Sequence, residues 1–239
     1  MGLSAVVIGS GWAGEGHTLA LRAAGVDVVA LCGRTAEAVQ ALAKRLEVPQ
    51  ARLDWSQTLS DLKPDIVAIA TPAGPHREIA EAAVKLGSHI FCDKPLAVDL
   101  AGARAMVLAV RQAKVKHAYA ASSCLEPIVD YVRTLIANGL IDTLTGIEFH
   151  IHYGLARPTV FSWFHDLKQG GGMLNQIFTH ALAQVLRVTD GAPKQVTGEA
   201  KLLRHESTHW STDPRLSPVV HHCAGSGRNR SRPMANRRR

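Results

Sequence analysis

At 239 residues the chain is long enough for one large domain or two smaller ones, and its 46% hydrophobic content argues against global disorder. It has no apolar run of the roughly 20 residues that a membrane-spanning helix needs and no signal-type N-terminal core, so we expect no membrane partner. The net charge of +7 comes almost wholly from Trp210 onward, where seven arginines stand against one acid. A basic balance confined to a tail is not typical of a nucleic-acid-binding face, so we expect no nucleic-acid partner.

The first part of the chain alternates short β-branched runs with helical patterns. Strands are predicted at 3–9, 26–32, 64–71, 89–93 and 116–121, and helices at 14–25, 35–48, 75–87 and 99–113. Continuous apolar strands that alternate with helices indicate βαβ units and a parallel sheet covered on both faces. The sequence therefore predicts an α/β fold with a doubly wound Rossmann domain over residues 1–121.

After residue 121 the strict alternation ends. Helices are predicted at 126–139 and from about Leu174 to Arg187, and strands at 144–154 and 194–204. This pattern indicates a partial α+β substrate domain over residues 122–209 with an open, mostly antiparallel sheet, the surface through which we expect homo-oligomers to form. Residues 210–239 lose periodicity and gain arginine, proline and serine, so we expect them to be disordered.

A glycine-rich turn lies between the first predicted strand and the first predicted helix. Gly9, Gly11 and Gly14 in "GSGWAG" form a GxGxxG pattern, and Trp12 and Ala13 lie inside it. The three glycines suit a tight turn, backbone access to a pyrophosphate and close helix–strand packing. The helix N-terminus adds free N–H groups and a positive dipole end. We therefore predict a dinucleotide-binding turn, the alternative being a glycine-rich turn with no ligand.

The end of the second strand bears on which dinucleotide binds. A carboxylate usually stands there to hold the ribose 2′-hydroxyl, whereas this chain has "LCGRT" with Gly33 and Arg34. Without the carboxylate a 2′-phosphate is not repelled, and Arg34 has the geometry to pair with it. The sequence favours NADP over NAD as cofactor. The alternative is that Arg34 stacks on the adenine or points into water.

A set of motifs in collinear order resembles the glucose–fructose oxidoreductase and inositol dehydrogenase family (Gfo/Idh/MocA-like). It comprises the glycine turn, "ATPAGPH" (70–76), "GSHIFCDKPLA" (87–97), "EP" (126–127) and "GGGMLNQIFTH" (170–180), and it covers roughly residues 3 to 205. The resemblance implies a nicotinamide-dependent oxidoreductase that acts on sugars, cyclitols and related polyols.

The resemblance also implies roles for residues at two strand ends. Thr71, Pro72 and His76 match positions beside the cofactor. Lys94 matches the lysine of the family's E-K-P motif, which contacts the reacting group and the nicotinamide ribose, and a cis bond is implied before Pro95. Asp93, which stands where the family usually has glutamate, is included in the cofactor site.

His180 matches the histidine of the family's D-x-x-x-H motif, the proposed acid/base. Gln176 replaces the aspartate four residues earlier. Hydride transfer from a secondary alcohol needs a base for the hydroxyl proton and a cation for the developing alkoxide. We therefore predict Lys94 and His180 as the catalytic pair. The alternatives are a surface lysine neutralised by Asp93 and a buried, hydrogen-bonded histidine.

Four polar or aromatic residues near the glycines at 170–172 are candidate substrate contacts. Asn175 and Gln176 have the groups to bind polyol hydroxyls or, equally, to cap the helix. Trp163 and His165 lie on the preceding loop, where their side chains either line the substrate pocket or pack within the loop itself. The three glycines would let backbone come close to a substrate.

No metal site is predicted. The adjacent His221, His222 and Cys223 have poor chelating geometry, and His205 and His209 lack an acidic or cysteine partner. The four cysteines are scattered without CxxC spacing, which indicates reduced thiols and a cytoplasmic location.

The C-terminal end differs from the family pattern, since the resemblance fades near 209–213. We expect a chain truncated relative to the family, with an incomplete second sheet whose exposed edges favour aggregation. The alternative function that this suggests is a catalytically weak or inactive dinucleotide-binding remnant or sensor.

Overall fold

A computed structural model describes residues 2–151, 162–200, 206–209 and 219–222, the last two ranges by their backbone alone. The chain divides into two compact units, Met1–Ala120 and Ala121–Arg239.

Unit 1 is built on a six-stranded parallel sheet. Its strands are β1 Ser4–Ile8, β2 Asp27–Cys32, β3 Gln50–Arg52, β4 Ile66–Ile69, β5 His89–Cys92 and β6 His117–Tyr119. They lie in the order β3-β2-β1-β4-β5-β6, and each neighbouring pair is parallel. The order reverses beside β1, which confirms the predicted doubly wound sheet and places its topological switch point between β1 and β4.

Helices cover both faces of this sheet. They are α1 Trp12–Ala23, α2 Ala36–Arg45, α3 Trp55–Leu62, α4 His76–Lys85 and α5 Leu100–Ala113. Successive residues of β1 enter two different apolar clusters, since their side chains alternate between the faces. Ala5 and Val7 pack with residues of α1 and α2, whereas Val6 and Ile8 pack with residues of α3, α4 and α5.

Strand β3 and helix α3 were not expected from the sequence. The strand has three residues and pairs only with β2 at the edge of the sheet, so its apolar signal is short. Helix α3 does carry a local start signal, because the side chain of Asp54 accepts a hydrogen bond from the N–H of Gln57 at 3.0 Å.

Within its described residues, unit 2 contains two α-helices among irregular segments. Helix α6 is Pro127–Ala137, and α7 is Thr179–Thr189, directly preceded by a π-helical turn at Leu174–Phe178. Short 3-10 turns form at Ser122–Leu125, Trp163–His165 and Leu167–Gln169. Pro127 takes the first position of α6, and Gly139 follows that helix with a φ of 79°, as a stop residue should.

The open sheet expected for this unit is not confirmed. Residues 144–151 and 194–200 form no strand, and the remainders of the two predicted strands lie outside the described residues. A strand needs a partner for its backbone hydrogen bonds, and within the described ranges none pairs with either segment. The alternating side chains of Ile147, Phe149 and Ile151 are accordingly 41%, 48% and 43% exposed.

One antiparallel pair does form in unit 2. Strand β7, Glu206–His209, pairs with β8, Val219–His222, in register from Glu206 opposite His222 to His209 opposite Val219. Val219–His222 falls inside the stretch 210–239 for which disorder was expected, and the other residues of that stretch lie outside the described residues. The β-branched pair at its start favours a strand, a signal that the surrounding arginine and proline content concealed.

No helix among the described residues is both long and apolar enough to cross a membrane.

Candidate functional site

The carboxyl ends of three adjacent strands meet at one edge of the unit 1 sheet. The parallel ladder continues one residue past the strands, since the N–H of Ala70 donates to Ile8 O and the N–H of Asp93 donates to Ile69 O, both at 2.8 Å. Gly9 follows β1 directly. The glycine turn, the loop after β4 and the Asp93-Lys94 pair therefore lie side by side at the switch point of the sheet, where open α/β sheets bind ligands.

Two glycines of the turn are required by its geometry. Gly9 has a φ of 131°, and a Cβ there would lie 2.3 Å from Ala70 O. A Cβ on Gly14 would lie 1.8 Å from Gly9 O, so α1 can approach the strand end only because Gly14 has no side chain. These are the tight-turn and close-packing roles predicted for the pattern.

Gly11 differs from these two glycines. A Cβ there would meet no atom within 4 Å, so the fold does not require glycine at this position. Gly11 is the N-cap of α1, and no side chain caps that end. The first-turn N–H groups, including those of Trp12 and Ala13, lack intrahelical acceptors and are open to an anion. The Trp12 side chain is 88% exposed beside them.

At the end of β2, Gly33 is needed for packing within the protein. A Cβ on Gly33 would lie 2.5 Å from the Ser10 hydroxyl oxygen, and its N–H donates to Arg52 O at 3.0 Å. Gly33 thus lets the end of β2 pack against the glycine turn. Arg34, the next residue, is exposed.

His76 ties the loops after β4 and β5 together. Its side chain is fully buried at the start of α4, with Nε2 2.8 Å from Thr71 O and Nδ1 3.2 Å from Leu96 O. Burial lowers the pKa of His76, so the ring is neutral at neutral pH. The His76 side chain is 0% exposed, so it has no surface of its own for a ligand, and its place beside the cofactor stays a prediction.

The Cys92 thiol completes the hydrogen bonding of His76. Its Sγ atom lies 3.4 Å from Nδ1 of His76, and burial raises the pKa of Cys92 to about 12, so the thiol keeps its proton. The thiol hydrogen has two acceptors in reach, since Asp93 O also lies 3.4 Å from Sγ, and each ring nitrogen of His76 faces a carbonyl oxygen, Nε2 that of Thr71 and Nδ1 that of Leu96. Thr71 also has a buried hydroxyl oxygen, Oγ1, that has no hydrogen-bond partner among the described residues. Pro72 follows it, half-buried.

Lys94 is held at the end of β5 through its backbone. The N–H of Lys94 donates to Oδ1 of Asp93 at 2.8 Å, and the Lys94–Pro95 peptide bond is cis, as the resemblance implies. Both Asp93 and Lys94 are half-buried. The shorter acid therefore fixes the turn into Lys94.

His17 is a residue of this site that the sequence reading missed. It lies on α1, 8% exposed, stacked on Phe91 with ring centroids 4.5 Å apart, and its Nε2 is 4.0 Å from Oδ1 of Asp93. Its buried Nδ1 has no hydrogen-bond partner among the described atoms. A signal was present, because His17 falls on the buried face of α1 between Gly14 and Leu21.

In unit 2, His180 lies in the first turn of α7 and contacts a residue not expected there. Its Nδ1 is 3.0 Å from Oγ of Ser123, which belongs to the 3-10 turn Ser122–Leu125. Gln184, one turn further along α7, donates its Nε2 to Ser123 O at 3.3 Å. The 3-10 turn is thereby fixed along one face of α7.

The glycine loop before α7 packs on its own chain. A Cβ on Gly171 would lie 2.4 Å from Trp163 O and 2.5 Å from Phe164 O, and the N–H of Gly172 donates to Phe164 O at 2.7 Å. The close backbone approach predicted for a substrate is therefore taken by the turn at Trp163. The Trp163 ring is half-buried and meets Phe164 edge-on, while Nδ1 of His165 accepts from the N–H of Ser162 at 3.1 Å.

Asn175 and Gln176 both bind this glycine loop. Asn175 Nδ2 donates to Gly171 O at 3.1 Å, and Gln176 Nε2 donates to Gly170 O at 3.2 Å. These bonds go to carbonyl oxygens of the loop, and no side chain caps the start of the π-helical turn, so they are not the helix caps considered above. Binding of polyol hydroxyls by the two amides stays a prediction. Gln176 is 1% exposed, whereas Asn175 is half-buried and keeps surface for a ligand.

Where side chains are described, no group of three His, Cys, Asp or Glu residues is arranged to hold a metal ion. His221 and His222 lie in β8, of which only the backbone is described, and His205 and Cys223 lie outside the described residues.

Comparison with known proteins extends these observations. Residues 3–120 match the oxidoreductase family with an NAD-binding Rossmann fold, and residues 129–222 match the GFO/IDH/MocA C-terminal domain. The second match continues past residue 205, where the resemblance had been expected to end.

Relatives of this chain include proteins named as dehydrogenases of sugars and cyclitols and others named as glucose-fructose oxidoreductase domain-containing proteins. The chain is 32% identical over 192 residues to levoglucosan dehydrogenase of Pseudarthrobacter phenanthrenivorans, covering 75% of this chain and 49% of the relative. It is 25% identical over 198 residues to inositol 2-dehydrogenase of Rhizobium meliloti, covering 82% and 58%. The chain thus spans about half the length of the curated relatives it matches.

Solved structures agree with these matches. An oxidoreductase domain protein from Kribbella flavida has a TM-score of 0.70 at 31% identity, over 80% of this chain and 54% of that chain. A levoglucosan dehydrogenase in complex with NADH has a TM-score of 0.68 at 26% identity, over 79% and 54%. By sequence in both units and by fold, the chain belongs to the GFO/IDH/MocA family of oxidoreductases.

Proposed function

We propose that this chain carries the cofactor and catalytic residues of an NAD(P)-dependent oxidoreductase that transfers a hydride between the nicotinamide and a sugar-, cyclitol- or polyol-like alcohol or carbonyl. The observation that carries the proposal is Lys94, fixed through Asp93 at the carboxyl end of β5, beside a glycine turn built for a dinucleotide. In a doubly wound sheet this edge is where ligands bind.

The residues at the switch point fit a dinucleotide. Gly9 and Gly14 are required by the protein's own packing, whereas at Gly11 the space beside the backbone is open. The uncapped start of α1 suits a pyrophosphate, since its N–H groups and dipole favour an anion. The buried Oγ1 of Thr71, which lacks a partner among the described residues, is a further polar group for a ligand at this edge.

When bound, the nicotinamide supplies the hydride acceptor or donor. In the proposed reaction, the Lys94 ammonium binds the substrate oxygen and stabilises the negative charge that develops on it. His180 takes the hydroxyl proton in the oxidation and returns it in the reduction. Asp93 holds the backbone of Lys94 at the strand end through the hydrogen bond from its N–H.

Arg34 supports NADP as the preferred cofactor. It is exposed directly after Gly33 at the end of β2, where a carboxylate would otherwise repel a 2′-phosphate. A guanidinium at that position suits a phosphate with two parallel hydrogen bonds.

The test begins with the nucleotides alone. NADH and NADPH are titrated into the full chain while the fluorescence of the nicotinamide is followed, with quenching of the exposed Trp12 as a second signal. Sugars, cyclitols and linear polyols are then screened for turnover at the nicotinamide absorbance. Failure to bind either nucleotide would reject the proposal, and binding without turnover on any of these alcohols would favour the remnant or sensor.

Variants test the two catalytic assignments. Lys94→Met is expected to lower kcat by about 10²- to 10³-fold, and His180→Asn by about 10²- to 10⁴-fold, while both still bind nucleotide. Lys44→Met, an exposed lysine on α2, is the matched control and should leave kcat unchanged. Full turnover in Lys94→Met would remove that residue from the mechanism.

A further inference from the structure

The segment 144–151 of unit 2 has an unpaired backbone. It lies in no helix or strand, and no backbone hydrogen bond joins it to another segment in the part of the chain that the structure describes. None of its residues has a positive φ, which is compatible with an extended strand. The segment also contains no lysine or proline, the residues that commonly protect a free strand edge. Its backbone is therefore open to pairing with a second strand.

The side chains of this segment divide between two faces as those of a strand do. Ile147, Phe149 and Ile151 alternate with Glu148 and His150, and all five residues are exposed. On the apolar face, Ile147 and Phe149 line a groove together with residues of α6 and α7. Contiguous exposed apolar surface of this kind marks a site of interaction.

The alternation is self-complementary about Phe149. When two copies of the segment pair antiparallel with Phe149 opposite Phe149, Ile147 lies opposite Ile151. In the same register Glu148 lies opposite His150, and each of these pairs forms twice. Within one copy, the Glu148 carboxylate and Nε2 of His150 already lie 3.3 Å apart, with the side chains 90% and 73% exposed. That contact is therefore available for exchange between the two copies.

Other registers match these residues less well. Centring the pair one residue earlier sets Glu148 opposite Glu148, and like charges directly opposite each other destabilise a strand pair. Centring it two residues earlier sets Phe149 opposite the polar Thr145. Centring it one residue later sets Glu148 opposite His152 but leaves His150 opposite its own copy, without a carboxylate. Among these registers, the one centred on Phe149 matches all five residues.

We propose that a second copy of this chain pairs with it through residues 147–151, as two antiparallel strands related by a twofold axis at Phe149. A twofold contact needs one surface that complements itself, and these five residues form such a surface. Backbone hydrogen bonds provide the affinity, and the alternating side chains set the register. The partner strand lies beside the segment, where its apolar side chains extend the wall of the groove. The pairing is independent of nucleotide binding and of turnover.

Analytical ultracentrifugation of the full chain over a range of concentrations tests the pairing. The parent should move from the mass of one chain toward twice that mass as the concentration rises. Phe149→Lys removes the aromatic pair and puts two like charges at the twofold axis, so it should weaken self-association at least about tenfold. Leu108→Lys, at an exposed position of α5 in unit 1, is the control and should associate as the parent does. A parent that stays a single chain at every concentration would overturn the proposal and leave this face to a different partner.

Disulfide cross-linking locates the centre of the pair. Directly opposed Cα atoms in an antiparallel pair lie about 4.5–5.5 Å apart, within the range of a disulfide, so Phe149→Cys should cross-link to its own copy under mild oxidation. Thr145→Cys lies about 27 Å from its own copy in this register and should not cross-link. Peptide mapping by mass spectrometry identifies the linked cysteines and separates them from the natural ones. Cross-linking at position 145 as strong as at position 149 would overturn the proposal.

Exchange of the two polar residues tests the register while keeping Phe149. Glu148→Lys sets a lysine opposite the partner's His150 in both pairs, so self-association should weaken by about three- to tenfold. The double variant Glu148→Lys/His150→Glu again opposes complementary groups and should associate as the parent does. In a register centred on His150 the same double variant opposes two glutamates. A double variant as weak as Glu148→Lys alone would therefore overturn the register centred on Phe149.

Discussion

The Nε2 atom of His17 lies 4.0 Å from Oδ1 of Asp93, the carboxylate oxygen that also accepts the N–H of Lys94. The two side chains are only 9% and 17% exposed. Burial lowers the pKa of His17 and outweighs Asp93, which acts in the opposite direction, while the nearby His76 lowers it further. His17 is therefore a neutral imidazole at neutral pH and supports Asp93 by packing more than by charge.

The two buried histidines of unit 1 predict how stability depends on pH. Burial lowers the pKa of both His17 and His76 in the folded state, so between the folded and unfolded pKa values the unfolded chain binds more protons. Their contribution to stability is complete above the unfolded value of about 6.5 and is lost as pH falls below it. The free energy of unfolding in urea should fall between about pH 7 and about pH 5.5.

His17→Gln isolates one part of that dependence. The variant removes a titrating group at similar size, so its unfolding free energy should fall less steeply over the same pH range than that of the parent. His117→Gln, on the exposed β6, is the control and should keep the parent slope. Identical slopes in the parent and His17→Gln would show that His17 is not held neutral by the fold.

Substitutions at Gly11 and Gly9 should affect nucleotide binding and folding stability differently. Gly11→Ala adds a methyl group in open space, so its unfolding free energy should stay within about 0.5 kcal/mol of the parent. The same methyl group obstructs a pyrophosphate, and the Kd for NADH should rise at least about tenfold. Gly9→Ala should lower stability by about 2 kcal/mol or more, because it clashes with Ala70 at a positive φ.

Gly16→Ala is the control for the glycine series. It lies inside α1 with nothing within 4 Å of its Cβ, so it should raise stability by about 0.5–1 kcal/mol and leave NADH binding unchanged. If Gly11→Ala binds NADH as tightly as the parent does, the nucleotide does not lie against that turn.

Periodicity predicted five of the six strands of the unit 1 sheet, because the central strands are apolar on both faces and are joined by local βαβ units, whereas the short edge strand β3 was missed. The same signal failed at 144–151, where Ile147, Phe149 and Ile151 alternate correctly but depend on partner strands distant in sequence. Alternation of apolar and polar residues shows which face of a strand is apolar. It does not show which other segment supplies the hydrogen bonds to that strand, because the partner is distant in sequence.

Single-residue roles in the site were harder to predict for a related reason. His17 is defined by Asp93 and Phe91, and Ser123 by His180, which lie far from them in the chain. The glycine turn could be predicted from the sequence because its three glycines lie within six residues of each other. Roles that arise from tertiary contacts need the structure.

An apolar groove in unit 2 predicts binding of a hydrophobic dye. The groove has a volume of about 380 Å³ and lies between α6, α7 and residues 141–149. Its lining residues are Ile128, Val129, Val132, Ile136, Ile141, Leu144, Gly146, Ile147, Phe149, Gln184, Val185 and Val188. Contiguous exposed apolar surface of this kind takes up dyes such as anilinonaphthalene sulfonate. The native chain should therefore enhance the fluorescence of that dye.

Phe149→Asp locates the dye. The introduced carboxylate should lower the enhancement several-fold, because it places a charge in the groove and repels the anionic sulfonate. Leu108→Asp, at an exposed position of α5 in unit 1, is the control and should keep the parent fluorescence. Equal losses in both variants would place the dye elsewhere.

Arg34 should discriminate between the two nicotinamide dinucleotides. Arg34→Ala removes the charge-assisted pair proposed for the 2′-phosphate, so the Kd for NADPH should rise about tenfold or more while the Kd for NADH changes by less than about twofold. Arg111→Ala, near the end of α5 that is remote from the strand carboxyl ends, controls for net charge and should leave both constants unchanged. Fluorescence titration with each nucleotide provides the measurement. Because NADH lacks the phosphate, an equal loss of affinity for both nucleotides would mean that Arg34 contacts the adenosine they share, as expected for stacking on the adenine.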